Sequence, residues 1–473
     1  MCRHWRQAFV QHAPLWSQLY LTEKTDRHLL TTLLERAKQS PLDITLHCSK
    51  SSIHDVTLLS PFAQQIRNLT VEDAFQGEIQ KISVTISDAL PLLHTLSIRE
   101  SGIIYDSPFV PALSLFEGAV NVKKFVLRMY SASLLSHFAI KNLTTFHHSG
   151  RCRIYPVPLL LDFLEASPSL QEINIAIMGG ISNEGIPPDR VLVLPCVKFC
   201  YLTLPNNTDG WELATHLSCP SAERAVFRTQ PDYYDSKIPE DIYPSSLQWN
   251  AIARQYMMGM TRGVELKLKV DDDDDLTCIV ALWSPNEAAI GLCCRHPIKR
   301  SENGNETLTK KVGSNAFSRA SQTILNYLLL ANITTLYIQD NGLLAGDLEL
   351  AANDIGMLLG SMGPLEKLYL DRCDLRPYLD PFLKTPLFPN AIQPTLFPPI
   401  EKFRITGPIQ SLSDKKYAAA VVKLAESQHA RGVPFKHVTL RPSVPSWVVK
   451  QLSLSVNTVV CGKFLPSRDG DHN

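Results

Sequence analysis

The stretch Leu365-Glu-Lys-Leu-Tyr-Leu-Asp-Arg-Cys-Asp-Leu375 decides the fold expected for this chain. Its central Leu-x-Leu predicts a short β-strand in which both leucines point into the core, while Tyr369 between them points outward. Cys373 stands where the chain is expected to turn away from the strand. The same pattern occurs upstream in Ile333-Thr-Thr-Leu-Tyr-Ile-Gln-Asp-Asn-Gly-Leu343. Two such matches in succession favour a repeated structural unit over a chance amphipathic strand.

Shorter versions of this phrase recur along most of the chain, and many neighbours lie roughly 25 to 35 residues apart. They begin at residues 66, 93, 122, 140, 170, 197, 222, 263, 400 and 435, and residues 42–46 predict an earlier strand. Apolar residues at helical spacing lie at 27–40, 157–166, 317–331 and 413–430. The pattern resembles that of leucine-rich-repeat proteins. We therefore expect an α/β fold, a leucine-rich-repeat solenoid with a curved parallel sheet and outer helices.

Two regions interrupt this rhythm. Residues 228–262 carry several prolines and tyrosines, and we interpret them as a long insertion. Residues 271–315 begin with five aspartates at 271–275 and predict two loops that flank a distorted repeat. The aspartate run lacks the spaced ligands and the central glycine of a calcium loop, so we expect a solvated acidic turn. The irregular repeat array is placed at 23–465, with insertions near 228–262 and 271–315 and a polar tail at 466–473.

Residues 1–22 differ from the repeats and carry two tryptophans and a proline at characteristic spacing. Their order resembles the C-terminal half of an F-box, a helical segment that binds a Skp-type adaptor. Residues 34–44 are similar to the segment that follows the F-box in a large fungal family of F-box/leucine-rich-repeat proteins. The first half of an F-box would precede Met1, so we expect a partial F-box at 1–22. The resemblance assigns adaptor binding to Cys2, Trp5, Pro14, Leu15, Trp16 and Leu19.

Composition and charge exclude several classes of partner. The chain has 473 residues with 46 basic and 46 acidic side chains, and this balance gives no reason to expect binding to nucleic acid or to a membrane surface. Its 11 cysteines include no C-x-x-C pair, which favours a reducing compartment. The N-terminus lacks the apolar segment of a secretion signal, and no apolar run is long enough to span a membrane. We expect a soluble cytoplasmic or nuclear protein.

No motif for catalysis is present: the chain lacks H-E-x-x-H, G-x-S-x-G and G-x-x-x-x-G-K-[ST]. We therefore expect neither enzymatic activity nor a cofactor. His147, His148 and Cys152 are close in sequence and could suggest a metal, but no fourth ligand candidate lies nearby. We expect surface histidines on a loop and no metal site.

The outward positions of the strands are the better candidates for binding, since alternation places them on the concave face of the expected solenoid. They include Thr70, Ser97, Arg99, Arg128, Asn174 and Thr439. Tyrosine and arginine, which are enriched at binding hot spots, come from successive repeats near the C-terminus. Target binding is therefore assigned to Tyr337, Gln339, Tyr369, Asp371, Arg404 and Arg441, with Tyr337 and Tyr369 side by side and Arg404 next to them.

The resemblance implies a substrate-recognition subunit of an SCF-type cullin–RING ubiquitin ligase. Its partners would be a Skp-type adaptor, a cullin and an unknown target protein held on the concave face. The alternative is a non-catalytic repeat scaffold for protein interactions without a role in ubiquitin ligation. The two readings differ in whether the chain binds the adaptor.

Overall fold

This α/β protein is built on a large, mostly parallel β-sheet. Its structure is a computed structural model. It describes residues 2–48, 56–86, 90–101, 114–130, 132–152, 154–205, 208–230, 263–270, 276–283, 289–296, 333–339, 365–371, 400–405, 415–430, 432–440 and 444–461, together with 248, 252, 321, 355, 357–359, 361 and 362. The chain divides into two compact units, the first mainly Met1–Ala222 and the second Glu223–Pro231 with Lys237–Asn473.

The first unit contains a parallel sheet of eight described strands, in the spatial order β1-β2-β3-β4-β5-β6-β8-β11. Two pairs of short strands, β7 with β9 and β10 with β12, lie outside that sheet. In chain order the strands are β1 (Gln18–Leu21), β2 (Leu42–His47), β3 (Ile66–Ala74), β4 (Thr95–Glu100), β5 (Lys124–Met129), β6 (Thr145–Gly150), β7 (Ile154–Pro156), β8 (Glu172–Ile177), β9 (Gly180–Ser182), β10 (Leu192–Val193), β11 (Phe199–Pro205) and β12 (Leu217–Ser218).

Helices connect the strands of this unit, and local sequence explains where two of them begin. The Asp26 side chain accepts a hydrogen bond from the Leu29 backbone N–H at 2.9 Å and caps the second helix. The Glu78 carboxylate accepts the Phe75 backbone N–H at 2.8 Å at the start of the fourth. The helices are α1 (Arg3–Gln11), α2 (Arg27–Ala37), α3 (Val56–Leu59), α4 (Gln76–Ile86), α5 (Val157–Glu165) and α6 (Thr208–Thr215), with 3₁₀ turns at Ala13–Trp16, Ser60–Gln65 and Ala132–His137.

Buried side chains line up across the sheet because the strands are parallel and in register. Each member of one such row is at most 4% exposed. The row consists of Leu19, Ile44, Leu69, Leu96, Phe125, Phe146, Ile173 and Cys200. Its two phenylalanines meet Phe163 of α5, with ring centroids 5.9 Å and 4.9 Å away. The inward positions of the strands therefore form one continuous apolar core.

A second buried row contains one polar member. It runs through Leu21, Leu46, Val71, Ile98, Leu127, His148, Ile175 and Leu202. The His148 side chain is 2% exposed and stacks on the Phe146 ring, and neither of its ring nitrogens has a hydrogen-bond partner among the described residues. Burial lowers the pKa of His148 to about 4, against the opposing effect of the Leu127 backbone. The expectation that both histidines lie on a loop is wrong, because both belong to β6, and the expected surface position is wrong for His148, because β6 turns alternate residues inward.

The second unit contains both parallel and antiparallel strands, in the spatial order β13-β16-β15-β14-β17-β18-β19-β20-β21. The pairs β16–β15 and β15–β14 are antiparallel, and the other described pairs are parallel. The strands are β13 (Arg224–Gln230), β14 (Gly263–Val270), β15 (Leu276–Trp283), β16 (Ala289–His296), β17 (Thr335–Gln339), β18 (Lys367–Asp371), β19 (Lys402–Ile405), β20 (His437–Leu440) and β21 (Thr458–Cys461), with helices α7 (Lys415–Ala430) and α8 (Ser446–Ser455).

All the strand phrases singled out in the sequence coincide with strands, and the departures lie elsewhere. Residues 276–283 and 289–296, within a region interpreted as loops around a distorted repeat, form the antiparallel pair β15–β16. Residues 18–21, assigned to a helical partial F-box, form the strand β1 beside β2. The aspartates at 271–275, the helix expected at 317–331 except Ser321, Cys373 and the tail 466–473 lie outside the described residues.

We predict that His148→Leu removes a pH-dependent loss of stability. Unfolded histidine takes up a proton below its usual pKa of 6.5, whereas folded His148 does so only below about 4, so lowering the pH across this window favours the unfolded chain. Between about pH 7.5 and about pH 5 the free energy of unfolding should fall by about 2 kcal/mol more in the wild type than in the variant. Urea denaturation at both pH values measures this difference. His94→Leu, at an exposed histidine, is the control; equal pH dependence in wild type and His148→Leu would contradict the prediction.

Candidate functional site

The N-terminal segment is attached to the first unit through Trp16. Its indole N–H donates to the Phe9 carbonyl at 3.3 Å, and the two rings meet edge to face with centroids 5.2 Å apart. The Arg36 guanidinium of α2 lies 4.8 Å from the centre of the Trp16 ring, a cation–π distance. Trp16 thus joins α1, the 3₁₀ turn and α2.

Other apolar side chains of this segment remain open to solvent. The exposed fractions are 69% for Trp5, 51% for Phe9 and 50% for Leu15. Trp5 and Phe9 are four residues apart on α1, so they share one helix face. Isolated exposed apolar residues need no explanation, but large apolar side chains exposed together mark interaction sites, and Trp5 and Phe9 lie one helical turn apart with Leu15 in the 3₁₀ turn that follows. We call Trp5, Phe9 and Leu15 the N-terminal apolar patch.

The six residues assigned to adaptor binding therefore fall into three groups. Cys2, Trp5, Pro14 and Leu15 are exposed, and Trp16 is partly covered by Arg36 and Phe9. Leu19 is 4% exposed and belongs to the buried row of the sheet, so its side chain is not available to a partner. The pattern match missed Phe9, whose exposure only the structure reveals.

The residues assigned to target binding come together on adjacent strands of the second unit. Tyr337, Tyr369 and Arg404 occupy one register row across β17, β18 and β19. The two tyrosine rings have centroids 6.5 Å apart at an angle of 50°. The Tyr337 hydroxyl donates to the Asp371 carboxylate at 2.9 Å, and Asp371 is two residues beyond Tyr369. The side-by-side placement expected from the repeat phrase is therefore present in the structure.

The side chains of Tyr337, Tyr369, Asp371 and Arg404 are partly shielded from solvent. All four are half-buried, and their neighbours Leu336, Ile338, Leu368 and Leu370 point to the opposite, buried side. Burial raises the pKa of Tyr369, although the positive charge of Arg404 acts in the opposite direction. Tyr369 is thus a neutral hydrogen-bonding group at physiological pH. We call Tyr337, Tyr369, Asp371 and Arg404 the tyrosine–arginine cluster.

One residue assigned to this site does not add to its accessible surface. Gln339 is 6% exposed because the last residue of β17 is buried together with Ile338. Period-two alternation placed it outward and did not anticipate that the end of the strand is covered. Arg441 lies outside the described residues.

Among the residues described, no group of three or more His, Cys, Asp or Glu side chains could hold a metal ion. His147 and His148 lie on opposite faces of β6, and Cys152 is buried, where desolvation raises the pKa of its thiol to about 12. A thiol with so high a pKa is a poor ligand and a poor nucleophile. In the same part of the chain, no helix is both long and apolar enough to cross a membrane.

We predict that Tyr337 and Asp371 are energetically coupled. A hydrogen bond to a carboxylate on a half-buried face should contribute about 1 kcal/mol beyond the separate effects of Tyr337→Phe and Asp371→Ala. A double-mutant cycle measured by denaturation tests this value. The cycle of Tyr369→Phe with Asp371→Ala is the control. Tyr369 lies two residues before Asp371 on β18, whereas the hydrogen bond to Asp371 comes from Tyr337. Equal coupling in both cycles would contradict the assignment.

Comparison with known proteins adds no relative, because neither a protein-family model nor a curated protein sequence matches this chain.

Proposed function

We propose that this protein is the substrate-recognition subunit of an SCF-type cullin–RING ubiquitin ligase. The observation that carries the proposal is the N-terminal apolar patch. Trp5, Phe9 and Leu15 stay exposed on a segment that Trp16 attaches to the first unit. Because the same segment resembles the C-terminal half of an F-box, the patch is assigned to a Skp-type adaptor, which joins the subunit to a cullin.

The proposal includes leucine-rich repeats as the origin of the parallel strands. Its support is the coincidence of the repeated phrase with a strand at each described occurrence, with the same side chains inward wherever their burial is described. One unit of this kind buries little apolar surface by itself, and neighbours must stack to enclose a core. The buried rows that cross the parallel strands are the expected result of such stacking.

The tyrosine–arginine cluster is proposed to hold the target protein. Tyrosine and arginine provide large contact areas with polar ends, and both residue types dominate the binding energy of many interfaces. The Tyr337–Asp371 hydrogen bond and the adjacent ring of Tyr369 restrict side-chain motion before binding. Such preorganisation reduces the entropy lost on association.

A subunit of this kind acts by positioning rather than by bond chemistry. It would hold the adaptor at one surface and the target at another, which raises the effective concentration of the target near the ubiquitin-loaded enzyme. No catalytic group is required of this chain under the proposal. The reaction would belong to the enzyme that the cullin recruits.

One observation favours the alternative of a repeat scaffold without a role in ubiquitin ligation. Trp16 and Leu19 are occupied by contacts within the chain, so only part of the F-box-like pattern is free for an adaptor. Under this alternative the N-terminal segment, which includes β1, only caps the edge of the sheet next to β2. Measured adaptor binding separates the two functions.

We expect the full chain to bind a recombinant Skp-type adaptor, and Trp5→Ala to weaken binding about tenfold or more, because truncating a central aromatic residue removes its buried contact area. Isothermal titration calorimetry gives both affinities. Trp447→Ala is the matched control, since Trp447 is a 40% exposed tryptophan of the second unit. No binding by the wild type would favour the scaffold; unchanged binding by Trp5→Ala would remove the N-terminal apolar patch from the interface.

We expect the double substitution Tyr337→Ala and Tyr369→Ala to abolish target turnover with little effect on the core, because both side chains point away from the buried rows. Proteins that accumulate when the gene is deleted should return to normal abundance when the wild type is restored, but not when the double variant is. Tyr201→Ala, an outward tyrosine of β11 in the first unit, is the control. Normal turnover in the double variant would place target binding elsewhere.

A further inference from the structure

The half-exposed face of the first unit contains a row of side chains that changes abruptly in size. Arg99 of β4, Arg128 of β5, Ser149 of β6 and Ala176 of β8 are successive register partners. They alternate along their strands with buried residues, so they project from the other face of the sheet. Two long cationic side chains are thus followed by two small ones.

The change in size produces a groove. Its volume is about 360 Å³, and its lining includes Arg99, Arg128, His147, Ser149 and Asn174. This volume falls in the range of sites that hold a small ligand or a few side chains. Arg99, Arg128 and Asn174 are exposed, so the groove is open to a partner approaching the sheet face. The described residues that form it all belong to the first unit.

The charge of the lining is positive. Arg99, Arg128 and Arg151 contribute three positive charges and Glu100 one negative charge, which leaves an excess of two. Glu100 is already occupied: its carboxylate accepts the Gln76 amide N–H at 3.0 Å and the Tyr130 backbone N–H. Both donors are neutral, so Glu100 keeps its negative charge, but this single charge balances only one of the three arginines.

The two arginines differ in the partners they have. The Arg99 Nε atom lies 3.7 Å from the Asp73 carboxylate, which also lies 3.4 Å from His47. Asp73 has a positive φ of 53° at an irregularity between Val71 and Ala74 in the pairing of β3 with β4. For Arg128, no carboxylate of the described residues lies within ion-pair distance.

Like charges at directly paired positions of a sheet destabilise it, and Asp73 provides a counter-charge for Arg99 only. Adjacent strands are about 4.8 Å apart, so the stems of Arg99 and Arg128 are held close together. An anion between the two guanidinium groups would turn this repulsion into attraction. His147 is oriented at the rim by Glu172, with Nε2 and Oε1 2.9 Å apart. Ser149 and Asn174 supply neutral donors beside the arginines.

We propose that this groove binds carboxylate side chains of an extended acidic segment in a partner protein. Guanidinium groups bind carboxylates through paired N–H donors, and the small Ser149 and Ala176 leave the space for such a side chain beside Arg128. This inference rests on the proposed function, since the acidic segment would belong to the target of the ligase. It assigns a second contact region, on the first unit, in addition to the tyrosine–arginine cluster.

Fluorescence anisotropy with the purified full chain and a fluorescein-labelled oligoglutamate peptide tests the proposal. The wild type should bind this peptide and not an oligoglutamine peptide of equal length, and added salt should weaken binding. Arg128→Glu should lower the affinity about tenfold or more, because it replaces a charge-assisted contact by repulsion. Lys81→Glu makes the same change in net charge at an exposed position of α4 and should leave binding unchanged.

A second variant separates the groove from general electrostatics. Ala176→Phe fills the space without changing the charge and should also lower the affinity, while thermal unfolding of each variant verifies that it folds. Three results would overturn the proposal. They are equal losses of affinity in Arg128→Glu and Lys81→Glu, full binding by a folded Ala176→Phe, and binding of inorganic phosphate without binding of the oligoglutamate peptide.

The adaptor titration of the same proteins is a separate measurement. Peptide binding without adaptor binding would support the groove and contradict the ligase proposal.

Discussion

The alignment of buried side chains across parallel strands is the constraint on which the rest of the structure depends. In the first unit every described strand of the main sheet contributes an inward residue to the row that contains Phe125 and Phe146. A one-residue change of register would turn each of these side chains to the exposed face, so the pairing is strongly specified. Close packing of Phe125, Phe146 and Phe163 then fixes where α5 lies against the sheet.

The same constraint determines which residues are available for recognition. Once alternate positions are committed to the core, the remaining positions form rows on the other face, at separations set by the sheet. The tyrosine–arginine cluster and the groove beside Arg128 are both products of this arrangement, although one relies on aromatic contacts and the other on charge. The same alternation buries a titratable side chain, His148, in a row that is otherwise apolar.

The residues of the N-terminal segment differ in their exposure to solvent. The resemblance of this segment to half of an F-box concerns the spacing of tryptophan, proline and leucine, but some of these residues are covered and others are exposed. Trp16 and Leu19 hold the segment against the first unit, whereas Trp5 and Leu15 remain exposed. The same pattern therefore combines attachment with display of an apolar surface, and only the second property can serve a partner.

The sequence by itself determined the α/β class, the positions of most strands and the inward residues of strands such as β3, β5 and β18, because the Leu-x-Leu phrase combines strand propensity with period-two burial. It also anticipated the contact of Tyr337 with Tyr369, since equal positions in consecutive phrases become register partners. Only the tertiary structure decided the antiparallel pair β15–β16, the burial of Gln339 and the strand at 18–21. These features depend on which strands meet and what covers their ends, and local residue patterns carry no such information. The groove at Arg128 is of the same kind: its space arises from the small size of Ser149 and Ala176, residues that are distant in sequence and adjacent only in the sheet.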